Sequence, residues 1–559
     1  MDGDDVNWFL EVEGLSPSPM PVADFLDTCL RTVAKGHIRY NYTAQQLVLP
    51  NIITLAGVLD AVPLEAPPSS TTSKQLLDAR TALAGFSSLE ATQWVYDRYV
   101  NLTTTMAKLN PGFDVHGDHK LNPPLTKNPH VKLTDYIVKE RLFNFWCAAP
   151  EDAEVLSRPV SAYHDHHHHH HHHHHLLSFL HHHHHFHQLS RHRHRHLCYS
   201  ALLSTICLFR LEQGCIPLTK DHALMAKMVV DNPWPRPIVV YGYDDTVALA
   251  GDVFEAETNC VAQHNLGQVA SLVNNLAFWS RKPPISTPVR QVPEPPAAPY
   301  NKSKTYISIV LGDGDNIGFV KGSRRGWMTD RVSKCAADPA NGCFPLTWTL
   351  SPRTLHLAPD WLRWYYDKSV MTGADYFTLP PSGDLYAYPG MMPADMQASF
   401  VADTERDAAL MDLSSSVSWE FLGYWEAAIK HYFPRYGAKG VVRGFFAVNV
   451  PYMLPTAPFA LSKAKYKLLG EEKNVVLFRP REWRGGRGTK GIGNGKFELT
   501  ASQMATEIGG YEAGSVAHLY VTSDGGANLD LVYEMVRQLD AHVEVVGPKT
   551  LIEMAVQRG

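Results

Sequence analysis

From residue 305 onward the chain alternates short apolar runs, rich in β-branched and aromatic side chains, with longer stretches in which apolar residues recur every three or four positions. The runs predict buried strands at 306–311, 345–350, 376–379, 441–448, 475–478, 516–521 and 543–546. The periodic stretches predict helices at 359–371, 394–411, 417–432, 457–468, 501–507 and 528–539. Seven strands alternating with helices define an α/β fold, and residues 305–559 are expected to form a C-terminal seven-stranded (β/α) barrel. Residues 1–290 lack that rhythm. There, 47–62 predicts a short strand and then a buried helix, 74–84 and 88–108 predict amphipathic helices, and 236–241 (RPIVVY) predicts a buried strand, so an N-terminal α+β domain is expected. Between the two, 280–304 holds seven prolines with scattered charge and predicts an extended, semi-rigid connector, with 291–304 as the linker proper.

Composition narrows the function more than the fold. A chain of 559 residues is too long for one ordinary core. A net charge of -5 counts against nucleic acid or an anionic membrane as the main partner. No apolar run reaches the roughly 18 residues of a spanning helix. The segment MDGDDVNWFLEVEG is acidic where a secretory signal would be basic and then apolar. The eight cysteines show no CxxC pair, and Cys335 and Cys343 are expected as buried thiols. Between 164 and 196 lie 20 of the 30 histidines, ten of them consecutive. A homopolymer has no geometry that fixes ligand number, so this block reads as a disordered insert and not a metal site, and 197–211 resumes as an apolar helix. Neither GxGxxG nor a P-loop opens any helix, and no cofactor is expected.

Candidate chemistry lies at predicted strand ends. The strand 306–311 stops at Gly312-Asp313-Gly314-Asp315-Asn316, and if the chain stays extended Asp313 and Asp315 project from the same side. Turn formation is the other reading of such residues. In a parallel α/β fold, the C-terminal strand ends hold the ligand. Other ends carry Trp348, Arg353, Tyr386, Tyr388, Arg481, Glu482 and Asp524; with Asn316 these suit a sugar, whose ring faces stack on aromatics while its hydroxyls hydrogen-bond to charged groups. Trp361, Trp364 and Tyr365, at helical spacing, read as core. Two further functions fit the same acids. One is carbohydrate binding without turnover; the other is metal-dependent deacetylation or phosphoester cleavage, with His264 or His356 completing a shell.

The stretch SGDLYAYPGMMP resembles the signature of the GxGYxYP glycoside hydrolase family, with Gly383, Tyr386, Tyr388 and Pro389 in place and Leu385 where the motif has glycine. The resemblance extends from about residue 47 to the end, the histidine block excluded. It implies an N-terminal domain of divergent repeats, a seven-stranded β/α barrel, a site in the cleft between them and a carbohydrate substrate degraded outside the cytoplasm. It also implies a carboxylate triad of one upstream glutamate and two aspartates one residue apart. Asp313 and Asp315 match the pair. For the glutamate, Glu255 is chosen over Glu257, Asp244 and Asp245, with Glu255 as general acid, the aspartates as base or water-positioning pair, and Glu257 as a substrate contact. Neither the sugar nor the oligomeric state follows from the sequence.

Overall fold

A computed structural model describes residues 3–15, 24, 34–65, 73–108, 133–145, 231, 234, 238–242, 266–269, 273, 275–420, 424–437, 440–448, 465–485, 498–522 and 528–559. The histidine block and the helix expected at 197–211 lie outside these residues. After helix α1 (Gly3–Glu11), the first described sheet holds β1 (Gly36–Arg39), β2 (Ala61–Leu64) and β3 (Gln75–Asp78), with α2 (Leu49–Leu59) between the first two strands. Its order is β2-β1-β3, all parallel. Past α3 (Ser88–Tyr99), which a Ser87/Glu90 capping box opens, come β4 (Met106–Lys108), α4 (Thr134–Lys139), β5 (Phe143–Phe145), β6 (Ile238–Tyr241) and β7 (Leu266–Val269). The second sheet runs β5-β4-β6-β7, also parallel, so both sheets open on a central strand flanked by the next two. The expectation of an α+β half is therefore corrected: the described strands form parallel α/β layers. Three assignments also change, since the strand near 47–62 follows its helix and both 75–78 and 106–108 are strands.

The second half is organised around β8 (Thr305–Leu311), all seven of whose residues are buried. After α5 (Ile317–Lys321) and α6 (Ser323–Ala337) the chain adds β9 (Leu346–Thr349), α7 (Pro359–Thr372), β10 (Asp375–Thr378), α8 (Ala394–Met411), β11 (Ser415–Ser418), β12 (Gly444–Ala447), β13 (Tyr466–Leu469), β14 (Val475–Phe478) and β15 (Glu482–Trp483). It ends with α9 (Ala501–Gly509), β16 (Val516–Val521), α10 (Leu529–Val536), β17 (Val543–Val545) and α11 (Pro548–Arg558). One sheet runs β10-β9-β8-β16-β15, with β17 also on β8, and a second runs β11-β12-β14-β13. All pairs are parallel except β13 with β14.

The expected seven-stranded barrel is not closed. Between β10 and β11 the ladder shrinks to one bridge, Leu379 to Ser416. Arg479-Pro480-Arg481 separates β14, which pairs with β12, from β15, which pairs with β16, and Pro480 has no N–H to offer a ladder. Three strands were missed: β15 is only two residues long, and the residues of β11 and β13 do not look like strand formers. Ser415–Ser418 overlaps the start of a predicted helix, yet its serines are buried, with Ser415 bonded to the Thr378 hydroxyl at 2.7 Å and Ser416 donating to the Val417 carbonyl at 2.9 Å. Tyr466–Leu469 is an edge strand where a helix end was expected.

Inward residues of the two sheets (Tyr306, Val310, Phe446, Phe478, Val516, Tyr520) form one core, filled from one end by Leu551, Ile552 and Met554 of α11. Outward faces share a larger core with the helices and the N-terminal sheets. The proline-rich connector is fastened along its length: Gln291 accepts from the Phe377 N–H at 2.6 Å and donates to the Asp412 carbonyl, and Glu294 caps α11 through the N–H groups of Lys549 and Thr550. Cys335 and Cys343, expected as thiols, are joined by a disulfide.

His518 faces the inner core, its ring against Phe446 and Phe478, and burial depresses it to about 3 from an ordinary 6.5 despite the Ala447 backbone. The unfolded chain takes up this proton below its ordinary value and the folded chain does not, so stability is lost as pH falls from neutrality. Urea unfolding from pH 7 to 4 should show that loss, and His518→Phe should flatten the slope; an unaltered slope would remove His518 from the cause.

Candidate active site

The acid loop departs from the extended chain that would put both aspartates on one side. Asp313 has a φ of +66°, in the left-handed region, and the chain turns at Gly314 and Asp315. The loop meets Tyr520, on the neighbouring strand β16. Its hydroxyl accepts from the Asp313 N–H at 3.2 Å. Burial pushes the phenol well above its usual value, and the charges of Asp313, Asp315 and Glu482 push the same way, so at physiological pH Tyr520 is a neutral donor among carboxylates. Arg324, from the first turn of α6, donates to Asp313 Oδ2 at 2.8 Å and to the Gly312 carbonyl at 3.0 Å, with its guanidinium 4.0 Å from the Trp327 ring centre. Both glycines are places of close approach. A Cβ on Gly312 would lie 2.3 Å from the Tyr520 ring, and one on Gly314 would lie 1.9 Å from the Thr349 carbonyl oxygen.

Glu482, the first residue of β15, is buried and paired with Arg484 at 3.0 Å. Other predicted contacts take different roles. Asn316 caps α5, its side chain accepting from the Gly318 N–H at 2.9 Å. Trp348 is a core residue, its indole donating to Asp375 at 2.7 Å, and the same carboxylate pairs with the fully buried Arg331. Tyr386 and Tyr388, expected to be exposed among chain breakers, are 4% and 0% exposed. Strand alternation turns Arg481 the opposite way from Glu482, onto Glu507 of α9, in a two-pronged ion pair of 2.6 and 2.5 Å. Arg353 pairs with Asp384 inside the motif loop. Glu255, Glu257, Asp524, Asp244, Asp245 and His264 lie outside the described residues. His356 stands 4.0 Å from Asp407, and among the described residues no group of three or more His, Cys, Asp or Glu could hold a metal ion.

The motif loop behaves as a buried polar lock. Gly383 has a φ of +117°, which side chains rarely adopt. Burial pushes the Asp384 carboxyl up to about 6, Arg353 pulls it back, and Asp407 beside it pushes it up again. The Gly390 N–H donates to both oxygens of Glu420 at 3.0 and 2.9 Å, and burial raises Glu420 well above its usual value. Leu385, where the motif has glycine, meets Gly267 of β7: a Cβ there would lie 2.3 Å from that of Leu385. Arg324, Arg484, Glu420 and Tyr520 were not singled out from the sequence. None carried a sequence signal: Glu420 fell inside the helix expected at 417–432, because the strand before it, Ser415–Ser418, was not predicted.

Residues 303–556 match the family described as GxGYxYP putative glycoside hydrolase C-terminal domain. A crystal structure of a putative hydrolase from Bacteroides thetaiotaomicron superposes with a TM-score of 0.64 at 17% identity, covering 100% of this chain and 88% of that one, a likeness of fold. A putative polysaccharide deacetylase from Mycobacterium smegmatis gives a TM-score of 0.31 at 11% identity, over 48% of this chain and 96% of that one. No curated protein matches the chain.

A Cβ on Gly390 would lie 2.7 Å from Glu420 and 2.9 Å from the Tyr424 carbonyl, whereas nothing lies within 4 Å of one on Gly437. Gly390→Ala and Gly383→Ala should each cost about 1–3 kcal/mol in denaturant unfolding, with Gly437→Ala near zero. Equal effects at all three positions would refute the lock.

Proposed function

We propose that the protein hydrolyses glycosidic bonds of an oligosaccharide or polysaccharide at the rim formed by Asp313, Asp315, Glu482 and Tyr520. The observation that carries this reading is the meeting of the Asp313 loop with the Tyr520 hydroxyl at the C-terminal end of β8, with Glu482 the register partner of Tyr520 on β15 and the Asp315 charge acting on the same phenol. Glycoside hydrolysis needs one carboxyl to protonate the leaving oxygen and one carboxylate to activate water or attack carbon. Asp313, ion-paired with Arg324, suits the ionised role, and Asp315 positions the water. Tyr520 keeps its proton and donates a hydrogen bond to an oxygen in the site. Glu255 of the N-terminal half is assigned as general acid on family resemblance alone. With Tyr386 and Tyr388 buried, the ring offered to a sugar face is Phe319, 37% exposed three residues beyond the acid loop. The family match over residues 303–556 supports the reaction class.

Release of reducing ends from a panel of oligosaccharides and aryl glycosides tests the reading. Asp313→Asn should lower turnover by about a thousandfold or more, since a carboxylate in a chemical role is lost, with little change in melting temperature. Proton NMR of the first product should show inversion at the anomeric carbon; retention would make one aspartate the nucleophile. Binding of the panel without cleavage, or full activity in Asp313→Asn, would overturn the assignment. Phe319→Ala should raise KM more than it lowers kcat.

A further inference from the structure

Helix α1 lies more than 300 residues before the acid loop in sequence, yet it grips the corner on which that loop turns. Trp8 is fully buried, stacked on Trp361 at 5.3 Å and set edge-on to Trp364 at 5.1 Å and Trp279 at 6.4 Å. Its indole N–H does not end in this aromatic packing. It donates to the Lys321 carbonyl, the last residue of α5, at 2.7 Å. One helical turn on, Glu11 accepts from the Trp364 indole at 2.8 Å, lies 3.2 Å from the Lys368 ammonium and pairs with Arg325. Arg325 in turn lies over the Trp8 and Trp364 rings, at 5.0 and 5.5 Å. Beyond the helix, Glu13 pairs with Arg281 and Lys282 at 2.5 and 3.0 Å, tying the segment to the connector.

The gripped corner, Lys321 to Arg325, contains Arg324, and Arg324 holds Asp313 and Gly312. We infer that α1 is a positioning element for the acid loop: Trp8 and Glu11 fix the α5–α6 corner, and through Arg324 they fix the place of Asp313. This inference rests on the reading of Asp313 as part of the reaction centre. The chain of contacts is short and each link is directional. The indole hydrogen bond fixes the end of α5, the Glu11–Arg325 pair fixes the start of α6, and Arg324 on the next residue converts that placement into the position of a carboxylate. A buried indole that gives its N–H to a helix-terminal carbonyl also satisfies a group that helix ends otherwise leave open.

The test uses the full chain with Trp8→Phe, which keeps a stacking ring and loses the donor, and Glu11→Gln, which keeps an acceptor for Trp364 and loses the charge. Hydrogen–deuterium exchange of peptides spanning 312–325 gives a readout that needs no substrate. Exchange there should quicken about tenfold in both variants while peptides from β16 stay protected. In the hydrolysis assay kcat should fall by about ten- to a hundredfold with KM little changed, the loss expected of a misplaced catalytic group. Glu11→Asp should recover part of it, and adding Trp8→Phe to Arg324→Gln should cost nothing further. Unchanged exchange at 312–325, or additive losses in the double variant, would overturn the positioning role. If Asp313→Asn itself leaves hydrolysis intact, the function proposed above fails, and the exchange measurement still decides whether α1 controls the loop.

Discussion

The second half depends on the crowding around the end of β8. A strand buried on both faces and paired on both edges can expose charge only where it stops. Here it stops against the Tyr520 ring on one side and the Thr349 carbonyl on the other, each close enough to forbid a side chain at Gly312 and Gly314. The two glycines thus let a carboxylate-bearing loop sit directly on the sheet edge. Asp313, with its positive φ, is held in that turn by Arg324 and by Tyr520. An acid so fixed has little conformational freedom left to lose on meeting a substrate.

The signature stretch turns out to be inside the protein. Tyr386 and Tyr388 are packed away, Asp384 and Glu420 are desolvated, and the loop's polar groups are answered from Arg353, Thr404 and Glu420. Buried charges of this kind add little net stability over apolar packing, but losing one partner strands the other. Such a loop therefore specifies one arrangement of the surrounding strands. Its contact with Gly267 carries that specification to the N-terminal sheet, and Tyr241 at the end of β6 senses the Arg353 and Asp384 charges electrostatically.

Long-range ties recur elsewhere. The connector donates to and accepts from the backbone of β10 and α8's C-terminal cap, α11 fills the inner core, and α1 grips the α5–α6 corner. Each tie joins segments 86 or more residues apart or places a terminal helix against the central sheet. The chain's two halves are thereby fastened at their ends as well as at the motif.

The sequence by itself determined seven strand runs of the second half, its helices near 359–372, 394–411, 501–509 and 529–536, and the acid pair at the end of the central strand. Apolar periodicity and chain breakers are local, and those elements are the ones that local pattern dictates. It did not determine that Ser415–Ser418 is a strand, because its buried Ser415 hydroxyl finds its partner, Thr378, only on a neighbouring strand. Nor did it determine the sheet closure, which Pro480 and the single bridge at Leu379 leave open. Residue type marked Trp348, Tyr386, Tyr388 and Arg481 as sugar contacts, yet whether an aromatic or an arginine faces solvent depends on what packs over it. Tertiary structure alone set Tyr520 against Asp313 and Glu482 opposite Tyr520, because their proximity is a matter of strand order and register, which no local spacing encodes.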